Sequence, residues 1–203
     1  KSELLMVLSL KLKKNTTLNI ALYYGQYNQD RTNLQPNRYF NGTETDITSE
    51  SINFMDTPIK IIIVTAKADY EQDFLNGKLS LGFKYSKIVT DNQFDFFDRI
   101  NGEDIINQNR TNTFNYNENI NAAYFNFNRK FDKYNLQIGL RMEQTKSDGV
   151  LESLQEDQND RVKRNYTDWF PSGGITYQMN QKNAFALTYS KRVQRPNYQS
   201  LNP

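Results

Sequence analysis

The chain has 203 residues, 25 Lys and Arg against 23 Asp and Glu, a net charge of +2, and neither cysteine nor histidine. These counts exclude disulfides, thiol nucleophiles, Cys/His zinc sites and any histidine base, and the interspersed charges leave no electrostatic footprint for nucleic acid. Mean hydropathy is −0.80, and no run approaches the roughly 20 apolar residues of a membrane helix. A transmembrane β-barrel stays open, because only every second residue of its strands faces lipid.

In chain order, Lys1 begins without a methionine, so the chain is expected to be part of a longer precursor. The apolar run Leu4–Leu12 lacks the basic flank and small-residue cleavage site of a signal peptide, and Lys11 and Lys13 interrupt its end. It reads as a strand. Residues 3–12 and 17–27 form a first hairpin, in which Leu18, Ile20, Leu22 and Tyr24 share a face.

A second hairpin pairs 60–71 with 78–89 across Asp73-Phe74-Leu75-Asn76-Gly77, whose Asn-Gly is a strong turn signal. A third pairs 118–129 with 134–146. Its second strand alternates cleanly: Tyr134, Leu136, Ile138, Leu140 and Met142 against Asn135, Gln137, Gly139, Arg141 and Glu143. The fourth pairs 171–179 with 183–193 across a polar turn.

The connections 28–59, 90–117 and 147–167 are polar and weakly periodic, with 49–56 and 150–158 as candidate helical turns. Structureless stretches of that length count against a compact soluble domain. Short turns alternating with long loops instead fit an outer-membrane barrel, as do strands of 10–13 residues, since a tilted strand needs about 9–11 to cross the hydrocarbon.

Aromatics near strand ends, Tyr24, Tyr85, Tyr134, Trp169, Tyr177 and Tyr189, are candidates for a membrane-interface girdle, although aromatics also simply suit strands. The opposite positions carry Lys84, Arg141, Glu143, Thr188, Ser190 and Arg192, with small Gly82, Gly139, Ala184 and Ala186. In a sandwich they would meet solvent; in a large barrel they would line a wet lumen.

No catalytic constellation, metal site or cofactor motif is present. Asp91, Asp95, Asp98, Glu103 and Asp104 lack the alternating ligands and closing Glu of a calcium loop. Asn41-Gly42-Thr43 fits a glycosylation sequon that carries little meaning in a bacterial protein. Phe94, Phe96 and Phe97, read as exposed loop aromatics, are candidate ligand or partner contacts. Arg192 and Arg195 either contact an anionic ligand or lipid phosphate, or belong with Pro196 and Tyr198 to a loop brace, which is the favoured reading.

Three elements in order carry a family resemblance: Trp169-Phe170-Pro171-Ser172 running into Ile175-Thr176-Tyr177, then Tyr189-Ser190-Lys191-Arg192-Val193, then Gln194-Arg195-Pro196-Asn197-Tyr198-Gln199-Ser200-Leu201-Asn202-Pro203. Upstream, Tyr124-Phe125-Asn126-Phe127 and Ile138-Gly139-Leu140-Arg141-Met142-Glu143 look like the preceding family hairpin. This stretch resembles the barrel of TonB-dependent receptors, in particular the large outer-membrane β-barrel family of Bacteroidota. The softer Gly173-Gly174 is a small departure.

The resemblance implies a barrel of about 22 strands, an N-terminal plug and a box that contacts TonB. Neither plug nor box lies in this sequence, and the chain is expected to stop on an extracellular loop, mid-barrel.

The expected fold is therefore all-β: one partial domain over 1–203, an antiparallel transmembrane barrel segment of about eight strands in four hairpins. The expected role is the wall of a nutrient receptor in the bacterial outer membrane, taking up a glycan, siderophore or similar cargo. Its partners would be outer-membrane lipid, TonB through parts outside this sequence, and a surface lipoprotein. Two other readings stand beside it. One is a structural or adhesive barrel without transport. The other is a soluble, secreted glycan-binding sandwich, in which Leu136, Ile138, Leu140 and Phe185 would pack on a second sheet.

Overall fold

The computed structural model describes residues 1–13, 15–155 and 160–192, most of them in antiparallel strands. In chain order these are β1 (Ser2–Lys13), β2 (Thr16–Gln29), β3 (Thr32–Phe40), β4 (Ile47–Asp56), β5 (Ile59–Phe74) and β6 (Gly77–Ile100). Then come β7 (Glu103–Ile106), β8 (Asn112–Phe131), β9 (Tyr134–Ser153), β10 (Asp160–Gln178) and β11 (Ala184–Ser190). Eight of them make one continuous sheet in the order β1-β2-β5-β6-β8-β9-β10-β11. It contains the four expected hairpins, β1–β2, β5–β6, β8–β9 and β10–β11, and among the described residues it does not close: there β1 pairs only with β2, and β11 only with β10.

The turn between β5 and β6 lies where the Asn-Gly signal points, but one residue earlier. Leu75 and Asn76 take the two positive-φ positions (49° and 55°), and Gly77 is already the first residue of β6. A left-handed leucine costs roughly 1–2 kcal/mol. Gly77 is required for a different reason: a Cβ there would come within 2.6 Å of the Asn128 carbonyl oxygen of β8.

The three supposed loops are corrected, because most of their length is strand. Residues 49–56 lie in β4 and 150–153 in β9, so neither candidate helical turn forms there; residues 156–158 lie outside those described. The chain between β2 and β5 folds into the β3–β4 hairpin. Its end is held by Asn41, whose side-chain oxygen accepts the Thr45 amide at 3.0 Å and whose Nδ2 donates to Asp46 at 2.9 Å.

β4 then pairs with the outer half of β6, from Ile52 opposite Arg99 to Asp56 opposite Asp95. β7 pairs with the last residues of β6 across Asn101-Gly102, both at positive φ, the composition a tight hairpin turn demands. β6, at 24 residues, therefore carries β5 and β8 on its lower part and β4 and β7 near its end.

Because side chains alternate, register fixes which residues share a face. One register row runs Ile20, Ala68, Phe83, Ala123, Met142, Trp169 across six strands, and the next runs Leu18, Tyr70, Leu81, Phe125, Leu140, Pro171. This apolar face is bare: Phe83 is 50% exposed, Leu140 41%, Phe185 66% and Leu187 74%. No second sheet packs on Ile138, Leu140 or Phe185 among the described residues, so the sandwich reading falls.

The other face buries Ser86, Thr90, Ile120, Ala122, Glu143 and Thr145, the last to 1% exposure. A lone sheet with nothing stacked on it buries side chains only where it curls and its hollow side crowds. The hollow side here is the polar one.

Candidate functional site

The hollow face carries the chemistry. Along its middle, Lys67 and Lys84 sit opposite each other on β5 and β6, with Ala122 and Glu143 continuing the row on β8 and β9. One step away the row reads Asp69, Gly82, Tyr124, Arg141, Phe170. The small residues make room for the large ones. The Tyr124 ring lies directly over Gly82, where a Cβ would fall 2.0 Å from the ring, so the glycine is filled by its cross-strand neighbour.

The charges on this face are knitted along the strands. Lys67 Nζ lies 2.6 Å from Asp69 Oδ2 and 5.9 Å from the centre of the Tyr124 ring. Arg141 donates to Glu143 Oε2 through Nη2 at 2.7 Å and Nε at 3.1 Å, and Glu143 is buried. A buried carboxylate needs such a partner, since an unpaired one is strongly unfavourable away from water. Thr65 and Ser86 hydroxyls pair at 3.0 Å across β5 and β6.

Lys67, Lys84, Tyr124 and Arg141 border a groove of about 500 Å³ shared with Phe170, Ser172, Ser190, Lys191 and Arg192. A neighbouring hollow of about 580 Å³ towards the short turns shares Asn126, Ser172, Ser190 and Arg192 and adds Lys78, Ser80 and Gln137. Both fall within the size range of small-molecule sites, roughly 300–1,000 Å³. Five cations on the rim of the first, Lys67, Lys84, Arg141, Lys191 and Arg192, with two aromatic faces, suit an anionic group better than a neutral one. Nearer the long connections the same face turns aromatic: Phe114 and Tyr116 stack at 6.3 Å beside Gly149, Leu151, Val162 and Arg164.

The sequence-predicted residues divide. Lys84, Arg141, Glu143, Thr188 and Ser190 fall on the hollow face, as do Gly82, Gly139, Ala184 and Ala186. Arg192 lines both hollows, while Arg195, Pro196 and Tyr198 lie outside the described residues. Tyr24, Tyr85, Tyr134, Trp169, Tyr177 and Tyr189 all share the apolar face, with the Tyr134 and Tyr177 rings 4.9 Å apart near the turn end.

Phe94, Phe96 and Phe97 are corrected from loop to strand β6. Phe96 is 5% exposed, bonded through its amide to Thr111 Oγ1 at 3.1 Å and covered by the Arg110 guanidinium at 4.7 Å, so it is core rather than a free surface ring. Phe97 packs on Phe54 at 5.7 Å, and Phe94 leans on Phe96 at 6.2 Å.

The acidic positions of β6 and β7 are dispersed along the two strands, and three of them have separate partners. Asp104 pairs with Arg99, Asp98 accepts from Asn107, and Asp95 accepts from Gln93. Sequence reading missed Lys67, Asp69, Tyr124 and Phe170 as parts of one surface. Parity could have placed each on a face, but register alone brings residues of three strands side by side.

A single curled sheet, apolar outside and polar within, is the wall of an outer-membrane β-barrel, where lipid replaces water as the outer solvent. The chain belongs to the outer membrane protein beta-barrel family, which matches residues 10–203, and this places it in the bacterial outer membrane. Solved structures share the fold. The siderophore receptor PiuA from Acinetobacter baumannii aligns with TM-score 0.66 and 15% identity over 92% of this chain and 31% of its own. The ferric yersiniabactin uptake receptor FyuA from Yersinia pestis gives 0.59 and 13%, over 85% and 25%. The unliganded ferric citrate transporter FecA gives 0.58 and 11%, over 85% and 24%. The chain thus spans 24–31% of these proteins' lengths. No curated protein matches the sequence significantly.

Proposed function

We propose that this chain is a wall segment of a TonB-dependent receptor that takes up a scarce nutrient across the outer membrane, with an anionic cargo such as a ferric chelate passing along its hollow face. The single observation that carries the reading is the cationic, aromatic-flanked groove of Lys67, Lys84, Tyr124, Arg141, Phe170, Lys191 and Arg192 on the lumenal side of an outer-membrane wall. The fold neighbours handle ferric citrate, ferric yersiniabactin and a siderophore, which supports iron chelates ahead of glycans. The six aromatics of the outer face serve as interfacial anchors. From Tyr177 to Trp169 is eight residues on β10, about 26 Å along the strand and about 20 Å across the bilayer at a usual tilt, close to the height of an apolar barrel band. Phe94 and Phe97, on the part of β6 beyond the band, remain the proposed contacts for ligand or a surface lipoprotein.

The test uses the full-length protein in its own outer membrane. Replacing Lys84 and Arg192 by Glu should cut energy-dependent uptake of labelled ferric citrate or a ferric siderophore at least about ten-fold, the effect of roughly 1.4 kcal/mol, at unchanged receptor level. Absence of any energy-dependent uptake by the unaltered protein, across chelates and oligosaccharides, would favour the non-transporting barrel and overturn the proposal.

A further inference from the structure

On the outward face, the apolar band gives way on β6, β8, β9 and β10 to a polar row that the transport reading does not use. Immediately beyond Phe83, Ala123, Met142 and Trp169 comes Tyr85, Asn121, Gln144, Thr167, and then Lys87, Asn119, Lys146, Asn165. One step further, Lys163 stands diagonal to Lys146 on β10. Lys87, Lys146 and Lys163 are all exposed, and they point the same way as the bare leucines and phenylalanines, not into the lumen.

Their neighbours leave this charge in excess. Lys87 and Lys146 make no ion pair among the described residues. Two acids stand nearest on this face. Asp148, opposite Lys163, is gripped by Arg161 at 2.6 and 2.9 Å, which with Lys163 holds its carboxyl below the usual range. Asp91 sits opposite Lys60, two rows above. Asn119, which accepts the Tyr85 hydroxyl on its Oδ1 at 3.1 Å, stands in the register row between the two lysines. Across two strand spacings, Lys87 and Lys146 stand about 10 Å apart at Cα, a span two flexible ammonium groups close easily around a headgroup.

The geometry points to a lipid-phosphate site: Lys87, Asn119, Lys146 and Lys163 bind the phosphate groups of an anionic lipid of the leaflet on the long-connection side. Its acyl chains lie against Phe83, Met142 and Trp169. A water-soluble anion would gain the same ammonium contacts but none of the apolar face below them, so the occupant is a lipid rather than free phosphate. The inference rests on the outer-membrane wall already described and deepens it by naming what the outer face holds.

The experiment uses full-length protein extracted in mild detergent and selected for heat-modifiable migration, which establishes a folded barrel before binding is read. Native mass spectrometry then counts bound bis-phosphorylated lipid A in the unaltered protein, in K87Q/K146Q/K163Q, and in K130Q/K133Q/K182Q, which removes the same charge at the short-turn rim. Each lysine near an anionic surface is worth roughly five-fold in affinity, so the first triple should weaken lipid A binding on the order of a hundred-fold. The second should leave it unchanged, and millimolar inorganic phosphate should not compete. Equal binding in all three proteins overturns the site, as does an equal loss in both triples or full displacement by inorganic phosphate. Failure to find the unaltered protein in the outer membrane would instead sink the barrel reading itself.

Discussion

The outer and hollow faces of this sheet are built from alternate residues of the same strands, yet they invert the usual order of burial. Leu140 is 41% exposed while Glu143, three residues along β9, is 6% exposed. In water that arrangement would be unstable, since apolar area left exposed forfeits about 25 cal/mol per Å². In a bilayer the outer face needs no protein cover, and the only crowding comes from curvature on the inside. The comparison teaches that exposure here reports the solvent each face was built for. Ile138 and Leu140 are as deeply seated in their medium as a globular core is in protein.

The strongest way to break the comparison is to put a charge on the outer face midway between Tyr134 and Trp169. I138R should cost about 2–4 kcal/mol of barrel stability and abolish most heat-modifiable protein, whereas Q137K, a lysine at the adjacent hollow-face position of β9, should assemble normally. Next comes the filled glycine. G82A drives a methyl into the Tyr124 ring, and overpacking of this kind should lower stability by about 1–3 kcal/mol in urea unfolding into vesicles. R141A leaves buried Glu143 without its guanidinium. A loss of about 1–3 kcal/mol is expected in the same assay, with R141A/E143Q recovering part of it.

A smaller effect sharpens the interface reading. Y177A removes the ring that touches Tyr134 at 4.9 Å and should cost about 1 kcal/mol, read as the same unfolding midpoint. The smallest effect lies outside the membrane. Arg99 grips Asp104 through two bonds of 2.7 and 2.9 Å, and that hydrogen-bonded pairing holds the carboxyl below its ordinary value. A depressed carboxyl stabilises the fold above its unfolded pKa and loses that contribution as pH falls through the lower folded value. Amide protection of β7 should therefore hold at neutral pH and fade only in acid, below the ordinary carboxylate range. Unchanged β7 exchange down to strong acid would show that the pair contributes nothing.

How much of this was legible depends on the range of each signal. The four hairpins were readable because alternation and short polar turns are local. Tyr134 to Met142 needed nothing beyond period two. The β3–β4 and β6–β7 hairpins were hidden in what looked like loops, although Asn101-Gly102 is itself a turn signal. Their strands lie beyond the lipid band, where both faces are wet and neither has to be apolar, so the period-two contrast fades. Phe96 was misread for the same reason: a phenylalanine among aspartates looks exposed until Arg110 and Thr111, 14 and 15 residues on, are folded over it.

The sequence by itself determined the class of wall, the parity of every outer leucine and phenylalanine, and the family through its terminal motif. All of these follow from spacing along one chain. Only the tertiary structure decided which strands stand side by side. Pairing set β5 against both β2 and β6 and brought Lys67, Lys84, Tyr124, Arg141 and Phe170 into one groove. Strand pairing is a choice among backbones that all offer the same amide and carbonyl ladder. It is settled by the packing of whole faces at once, and no single stretch of residues carries it.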